Sequence, residues 1–139
     1  MVSKTHKWEQ AVIMILNIDG WELEWTGDKN RLYDAKGKTP KGFDCVIEMK
    51  FRDKYYEKKL LEKYKYDSLM ELDKDIIKLY FINDPKGNFM FWLNDLKLPI
   101  AEKLYLPDSS YWTKKKQKKE VYLLDESDAS IINLNKSFF

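Results

Sequence analysis

The stretch Phe43-Asp44-Cys45-Val46-Ile47-Glu48-Met49-Lys50-Phe51-Arg52 decides how this chain is read. Side chains alternate faces along a strand, so Phe43, Cys45, Ile47, Met49 and Phe51 form one apolar face, while Asp44, Val46, Glu48 and Lys50 share the other. A strand built this way points an acid and an amine in the same direction at Glu48 and Lys50. A solvated antiparallel strand alternates in the same manner, so the neighbouring elements must separate a chemical site from a wet surface.

Upstream, Lys7 to Asn17 reads as a helix, with Ser3 or Thr5 available as a cap and Asp19-Gly20 as its end. Trp21 to Thr26 alternates as a strand, Gly27-Asp28-Lys29-Asn30 is a turn, and Arg31 to Lys36 is a second strand. The segment Gly37-Lys38-Thr39-Pro40-Lys41-Gly42 is read as a connecting loop, which makes the three strands an antiparallel meander. Downstream, Tyr55 to Leu72 lacks Gly and Pro and carries Leu61, Tyr64, Lys65, Ser68, Leu69 and Leu72 at helical spacing. Ile76 to Ile82 and Phe89 to Leu93 flank the turn Asp84-Pro85-Lys86-Gly87-Asn88 as a hairpin. Beyond Asn94, Pro99 and Pro107 punctuate an irregular stretch, followed by the lysine run Lys114 to Lys119 and a strand at Val121 to Leu124. Ile131, Ile132 and Leu134 suggest a docked or exchanged terminal element. This order predicts an α/β (α+β) domain, its helices packed on a mixed central sheet.

Composition limits the function classes. The 139 residues are 44% hydrophobic and 15% aromatic, enough for one sizeable core. One domain over 1–139 is expected, with a core at about 5–93 and a C-terminal extension at 94–139. The 25 Lys and Arg against 23 Asp and Glu leave a net charge of +2, so nucleic-acid binding must rest on local charge. The single Cys45 lies on the apolar strand face and reads as a buried small hydrophobe in a reducing setting. With no apolar run near the roughly 18 residues of a span, a soluble cytoplasmic protein without membrane contact is expected. The lone His6 lacks the partners of a zinc site, and no nucleotide-binding glycine motif or Ser-His-Asp set is present.

Three acids are candidates to join Lys50 and Glu48. Asp34 lies on the preceding strand, but a loop centred near Thr39-Pro40 sets it opposite roughly Cys45, so a bulge or a slanted register is needed to bring it close to Glu48. Asp44 shares the face of Glu48, yet four residues at about 3.3 Å each separate them by roughly 13 Å, too far for one metal ion. Glu9 shares a helical stripe with Val12, Ile13 and Leu16 and so begins an apolar face. A first-turn carboxylate also suits the helix dipole.

A helix with Glu9, a strand, Asp34 on the next strand, then Ile47-Glu48-Met49-Lys50 followed by a helix resembles the core of the PD-(D/E)XK nuclease superfamily. Within it, residues 5–82 are similar to the archaeal-type Holliday junction resolvases. Tyr33 stands where the motif's proline would be. The resemblance implies a restriction-endonuclease-like core and a metal-dependent endonuclease acting on DNA, of a junction-resolving or phage or mobile-element type, commonly a homodimer. It implies that Asp34, Glu48 and the Met49 carbonyl bind Mg²⁺ or Mn²⁺, with Glu9 completing the shell, and that Lys50 acts on the attacking water or the transition state. The following helix would add a further polar residue, with Lys63, Tyr64, Lys65 and Tyr66 as candidates and Lys65 favoured by its helical stripe, unless these side chains merely cover the sheet. For the phosphate backbone, Lys36, Lys38 and Lys41, Arg52 and Lys54, and the run with Lys114, Lys115 and Lys116 are the basic clusters. The rival expectation is a non-catalytic nucleic-acid-binding or protein-interaction domain on the same fold, using Phe89-Met90-Phe91-Trp92-Leu93 and Tyr111-Trp112 as a contact surface.

Overall fold

The computed structural model describes residues 4–27, 32–107 and 116–132. Helix α1 (Lys4–Ile18) leads into strands β1 (Glu22–Trp25), β2 (Ala35–Lys38) and β3 (Asp44–Phe51), then β4 (Lys58–Glu62) and helix α2 (Lys63–Met70). Strands β5 (Ile77–Asp84), β6 (Gly87–Trp92), β7 (Glu102–Pro107) and β8 (Lys116–Asp125) follow, and a 3-10 turn at Glu126–Asp128 precedes β9 (Ser130–Ile131). The central mixed sheet has the order β1-β2-β3-β5-β6-β9, with β3 and β5 its parallel pair, and β4-β8-β7 form a second, antiparallel sheet.

The alternation along β3 sorts two cores onto two faces. Cys45, Ile47 and Met49 meet Val12, Ile13 and Leu16 of α1, together with Leu79, Phe81 and Met90. Val46 meets Tyr80, Ile82 and Phe91 with Leu69 of α2 and Leu61, Tyr122 and Leu124 of the small sheet. Burial pushes the Cys45 thiol up to about 11, so it is an inert core residue. Phe43, expected on the apolar face, sits in the β2–β3 turn and is 56% exposed. Among the described residues no helix is long and apolar enough to cross a membrane.

Three expectations are corrected. The β2–β3 hairpin turns later than Thr39-Pro40, because Thr39 donates its amide to the Phe43 carbonyl and Gly42 donates to Thr39. Gly37 is therefore inside β2 rather than in a loop; a Cβ there would overlap the Glu22 carbonyl of β1, which explains a glycine in mid-strand. The single helix predicted for Tyr55 to Leu72 is a strand followed by a shorter helix. The first half pairs with β8 from Lys58↔Asp125 to Glu62↔Val121, and its buried positions, Lys59 and Leu61, alternate as a strand requires. The stretch after Asn94, expected to be irregular, contains β7, which pairs along β8 from Glu102↔Val121 to Pro107↔Lys116, while β8 takes in the expected strand at Val121 to Leu124 and β9 extends the central sheet beside Phe89 and Met90.

Lys59 explains how a lysine enters that core. Its Nζ lies 2.7 Å from Asp84 Oδ2 with both side chains 1% exposed, donates to the Tyr56 carbonyl at 2.6 Å, and stands over the Tyr55 and Phe89 rings. Asp84→Ala leaves Lys59 only the Glu126 carboxylate, 3.4 Å away and partly exposed, and should cost about 3 kcal/mol in denaturant unfolding. Lys59→Met with Asp84→Leu should recover most of that loss. An Asp84→Ala cost below about 1 kcal/mol contradicts this account.

Candidate active site

The observed register carries Asp34 most of the way to Glu48, and the ladder slips by one residue where it arrives, because Asp34 as well as Ala35 lies against Ile47. Ala35 pairs with Ile47 and Lys36 with Val46, so Asp34, one residue before β2 begins, falls beside Glu48. Its amide donates to the Ile47 carbonyl at 2.9 Å, and its Oδ2 accepts the Met49 amide at 2.8 Å. In extended backbone a residue's amide and carbonyl point to the same edge, so the Met49 carbonyl also faces the side where β2 has run out.

Glu48 is 8% exposed and lines a cleft of about 20 Å³ with Lys50, Arg52, Leu60, Leu61, Glu62, Lys65 and Tyr80. Lys65 reaches it from α2, its Nζ 3.6 Å from Glu48 Oε1. Burial and the nearby Asp34 charge raise the Glu48 carboxyl to about 8, and burial likewise lifts Asp34 above its ordinary range against the pull of the Met49 amide and Lys65. Lys50 reaches the surface, yet the protein around its ammonium, with Arg52 and Lys65 beside it, lowers its pKa. Tyr80 closes the floor, donating its hydroxyl to the Leu60 carbonyl at 2.8 Å.

The structure thus brings together Asp34, Glu48, Lys50, Arg52 and Lys65. It does not bring Glu9 into the same group. Helix α1 packs on the Cys45–Ile47–Met49 face, across the sheet from Glu48, and the buried Glu9 accepts the Trp25 indole at 2.9 Å. Among the described residues no three His, Cys, Asp or Glu side chains form a metal-holding group. Two carboxylates and a carbonyl nevertheless fit a hard cation such as Mg²⁺, which takes one or two protein carboxylates and keeps waters. The raised Asp34 and Glu48 pKa values fit it too, because a cation would relieve their crowding.

The outlying basic residues are placed elsewhere. Lys36 pairs with Glu24 at 3.3 Å and Lys38 with Asp44 at 2.9 Å, both largely exposed, and Lys41 is exposed in the hairpin turn. Asp44 thus lies at the exposed end of the hairpin, against Lys38. Lys114, Lys115, Tyr111 and Trp112 lie outside the described residues, and Lys116 opens β8. The segment Phe89 to Leu93 is no contact surface: Phe89, Met90, Phe91 and Leu93 are buried in the two cores.

Sequence reasoning missed Glu62, Tyr80 and His6. Glu62 was hidden because its strand was read as helix, and its carboxylate stands 3.6 Å from Lys119 of β8. Tyr80 is signalled only by pairing with Glu48 across the parallel ladder. His6 stacks edge-on against Trp25 at 5.3 Å, and its charge is felt by Asp34.

Among solved structures, the chain is similar to Hjc of Archaeoglobus fulgidus, a Holliday junction resolvase from an archaeal hyperthermophile. The TM-score is 0.61 at 14% sequence identity, covering 98% of this chain and 97% of that one. No family model and no curated protein matches the sequence. The likeness is one of fold, and the mixed sheet flanked by helices is a restriction-endonuclease-like, resolvase-type architecture.

The raised Glu48 pKa has a thermodynamic sign. The folded chain holds a proton up to about pH 8 that the unfolded chain releases near 4.5, so without metal the contribution of Glu48 to stability is fully present below 4.5 and is lost as pH rises through 8. Glu48→Gln should stabilise the metal-free protein by about 2 kcal/mol near pH 9 and flatten the decline in unfolding free energy between about pH 5 and 9. An unchanged slope in the variant contradicts the burial of an ionisable Glu48.

Proposed function

We propose that the chain is a Mg²⁺- or Mn²⁺-dependent endodeoxyribonuclease of the PD-(D/E)XK type that hydrolyses phosphodiester bonds, with branched DNA such as a four-way junction as its preferred substrate. The observation that carries this reading is the convergence of Asp34, Glu48, Lys50 and Lys65 where β2 ends against β3. The fold likeness to a Holliday junction resolvase supports it. Two cuts in one junction need two sites, so the working form in this reading is a homodimer.

Asp34, Glu48 and the Met49 carbonyl would hold the metal, which when bound lowers the pKa of a water and neutralises charge on the scissile phosphate. The backbone bond from the Met49 amide fixes the Asp34 carboxylate. Lys50 shares the strand face of Glu48, and its lowered pKa suits an amine that accepts a proton from the attacking water or stabilises the pentavalent phosphorus. Arg52, two residues on, adds a fixed positive charge at the same cleft and suits a phosphate oxygen.

Cleavage of a labelled four-way junction and a matched linear duplex, each with Mg²⁺ or EDTA, tests the reading. Wild type should cut the junction in preference and only with metal. Asp34→Ala and Glu48→Ala should lose about 10³-fold or more in rate, and Lys50→Ala about 10²–10⁴-fold, with all three still binding DNA. Wild type that binds without cutting, or a Glu48→Ala variant as active as wild type, rejects it.

A further inference from the structure

Lys65 is delivered to the site by α2, whereas Asp34 and Glu48 are set by the β2–β3 pairing. Of the cations acting on Asp34 and on Glu48, its ammonium is the strongest on each. Its Nζ lies 3.6 Å from Glu48 Oε1, on a carboxylate that a metal held by Asp34 and Glu48 would also need.

Space and charge both argue that this occupancy is exclusive. The cleft that Lys65 shares with Glu48 holds about 20 Å³, room for roughly one water, so on that side of Glu48 the ammonium and the several waters that Mg²⁺ keeps compete for the same space. Lys50, Arg52 and Lys65 line the cleft against Glu48 and Glu62, so a divalent charge entering at Glu48 meets less repulsion once Lys65 withdraws. Lys65 is also able to leave. Its side chain is 32% exposed, Glu48 is its ion-pair partner, and a lysine ammonium rides on a flexible four-carbon stem.

We propose that Lys65 is the resident counter-ion of the Asp34–Glu48 pair and competes with the divalent cation for it, withdrawing as the metal enters and then standing free to contact a substrate phosphate. This rests on the metal-dependent reading above. Lys65 holds the Glu48 carboxyl in the empty site and weakens metal binding by the strength of that contact. Lys63, two residues earlier on α2, is the natural control because it pairs with Asp67.

The test is calorimetric titration of Mn²⁺ into the full chain as wild type, Lys65→Gln, Lys65→Met, Lys63→Gln and Glu48→Gln, with folding of each checked by circular dichroism. Both Lys65 variants should bind Mn²⁺ about fivefold tighter than wild type, against less than about twofold for Lys63→Gln, the gain matching release of one ion pair. If the Lys65 variants bind no tighter than Lys63→Gln, or more weakly than wild type, the competition is rejected while Mn²⁺ binding lost in Glu48→Gln leaves the metal reading standing. Absence of Mn²⁺ binding to folded wild type and Lys65 variants alike overturns both. The second Lys65 substitution keeps the test decisive if one variant does not fold.

Discussion

The hydrogen bond from the Met49 amide to Asp34 Oδ2, at 2.8 Å, is the constraint on which the candidate site depends. It forms only because β2 starts at Ala35 and pairs Ala35 with Ile47, leaving the next amide of β3 that faces this edge without a β2 carbonyl. A side-chain carboxylate takes the place of the missing strand and is thereby fixed beside Glu48. The price of that arrangement is two acids in a desolvated corner, and the raised pKa values of both record it.

The surrounding architecture isolates this corner. One face of β3 is spent on α1 and its aliphatic core, so chemistry is confined to the other face, where α2 and β4 supply Lys65, Leu60, Leu61 and Glu62 as cleft walls. The crossover from β3 to the parallel β5 passes through β4 and α2 and so returns over Glu48. The second sheet braces that crossover, β4 along β8 and Lys59 against Asp84, which keeps Lys65 in reach of the acids. Positive charge is concentrated in the cleft at Lys50, Arg52 and Lys65, although the whole chain is close to neutral.

Much of the fold was legible because its strands obey period two. The β3 run, the β5–β6 hairpin around Pro85 and the antiparallel β1–β2–β3 meander were expected and observed. Tyr55 to Leu72 misled for a physical reason: no Gly or Pro marks the join at Glu62–Lys63, and a lysine inside a buried strand reads as a helical surface residue until Asp84 is known to meet it. The site was legible to the extent that it is local. Glu48 and Lys50 follow from alternation alone, while the approach of Asp34 depends on a hairpin register that the expected turn misplaces by three residues. Glu9 shows the reverse failure, because a stripe on α1 gives the face it packs on but not the indole of Trp25 that takes its carboxylate.

The most direct test of the account is a crystal soaked in Mn²⁺ and measured at the manganese absorption edge. The account predicts an anomalous peak between Asp34 and Glu48, on the side toward which the Met49 carbonyl points, with the Lys65 ammonium moved off Glu48. A peak elsewhere, or none at that position in a protein that cleaves DNA with Mn²⁺, would contradict it.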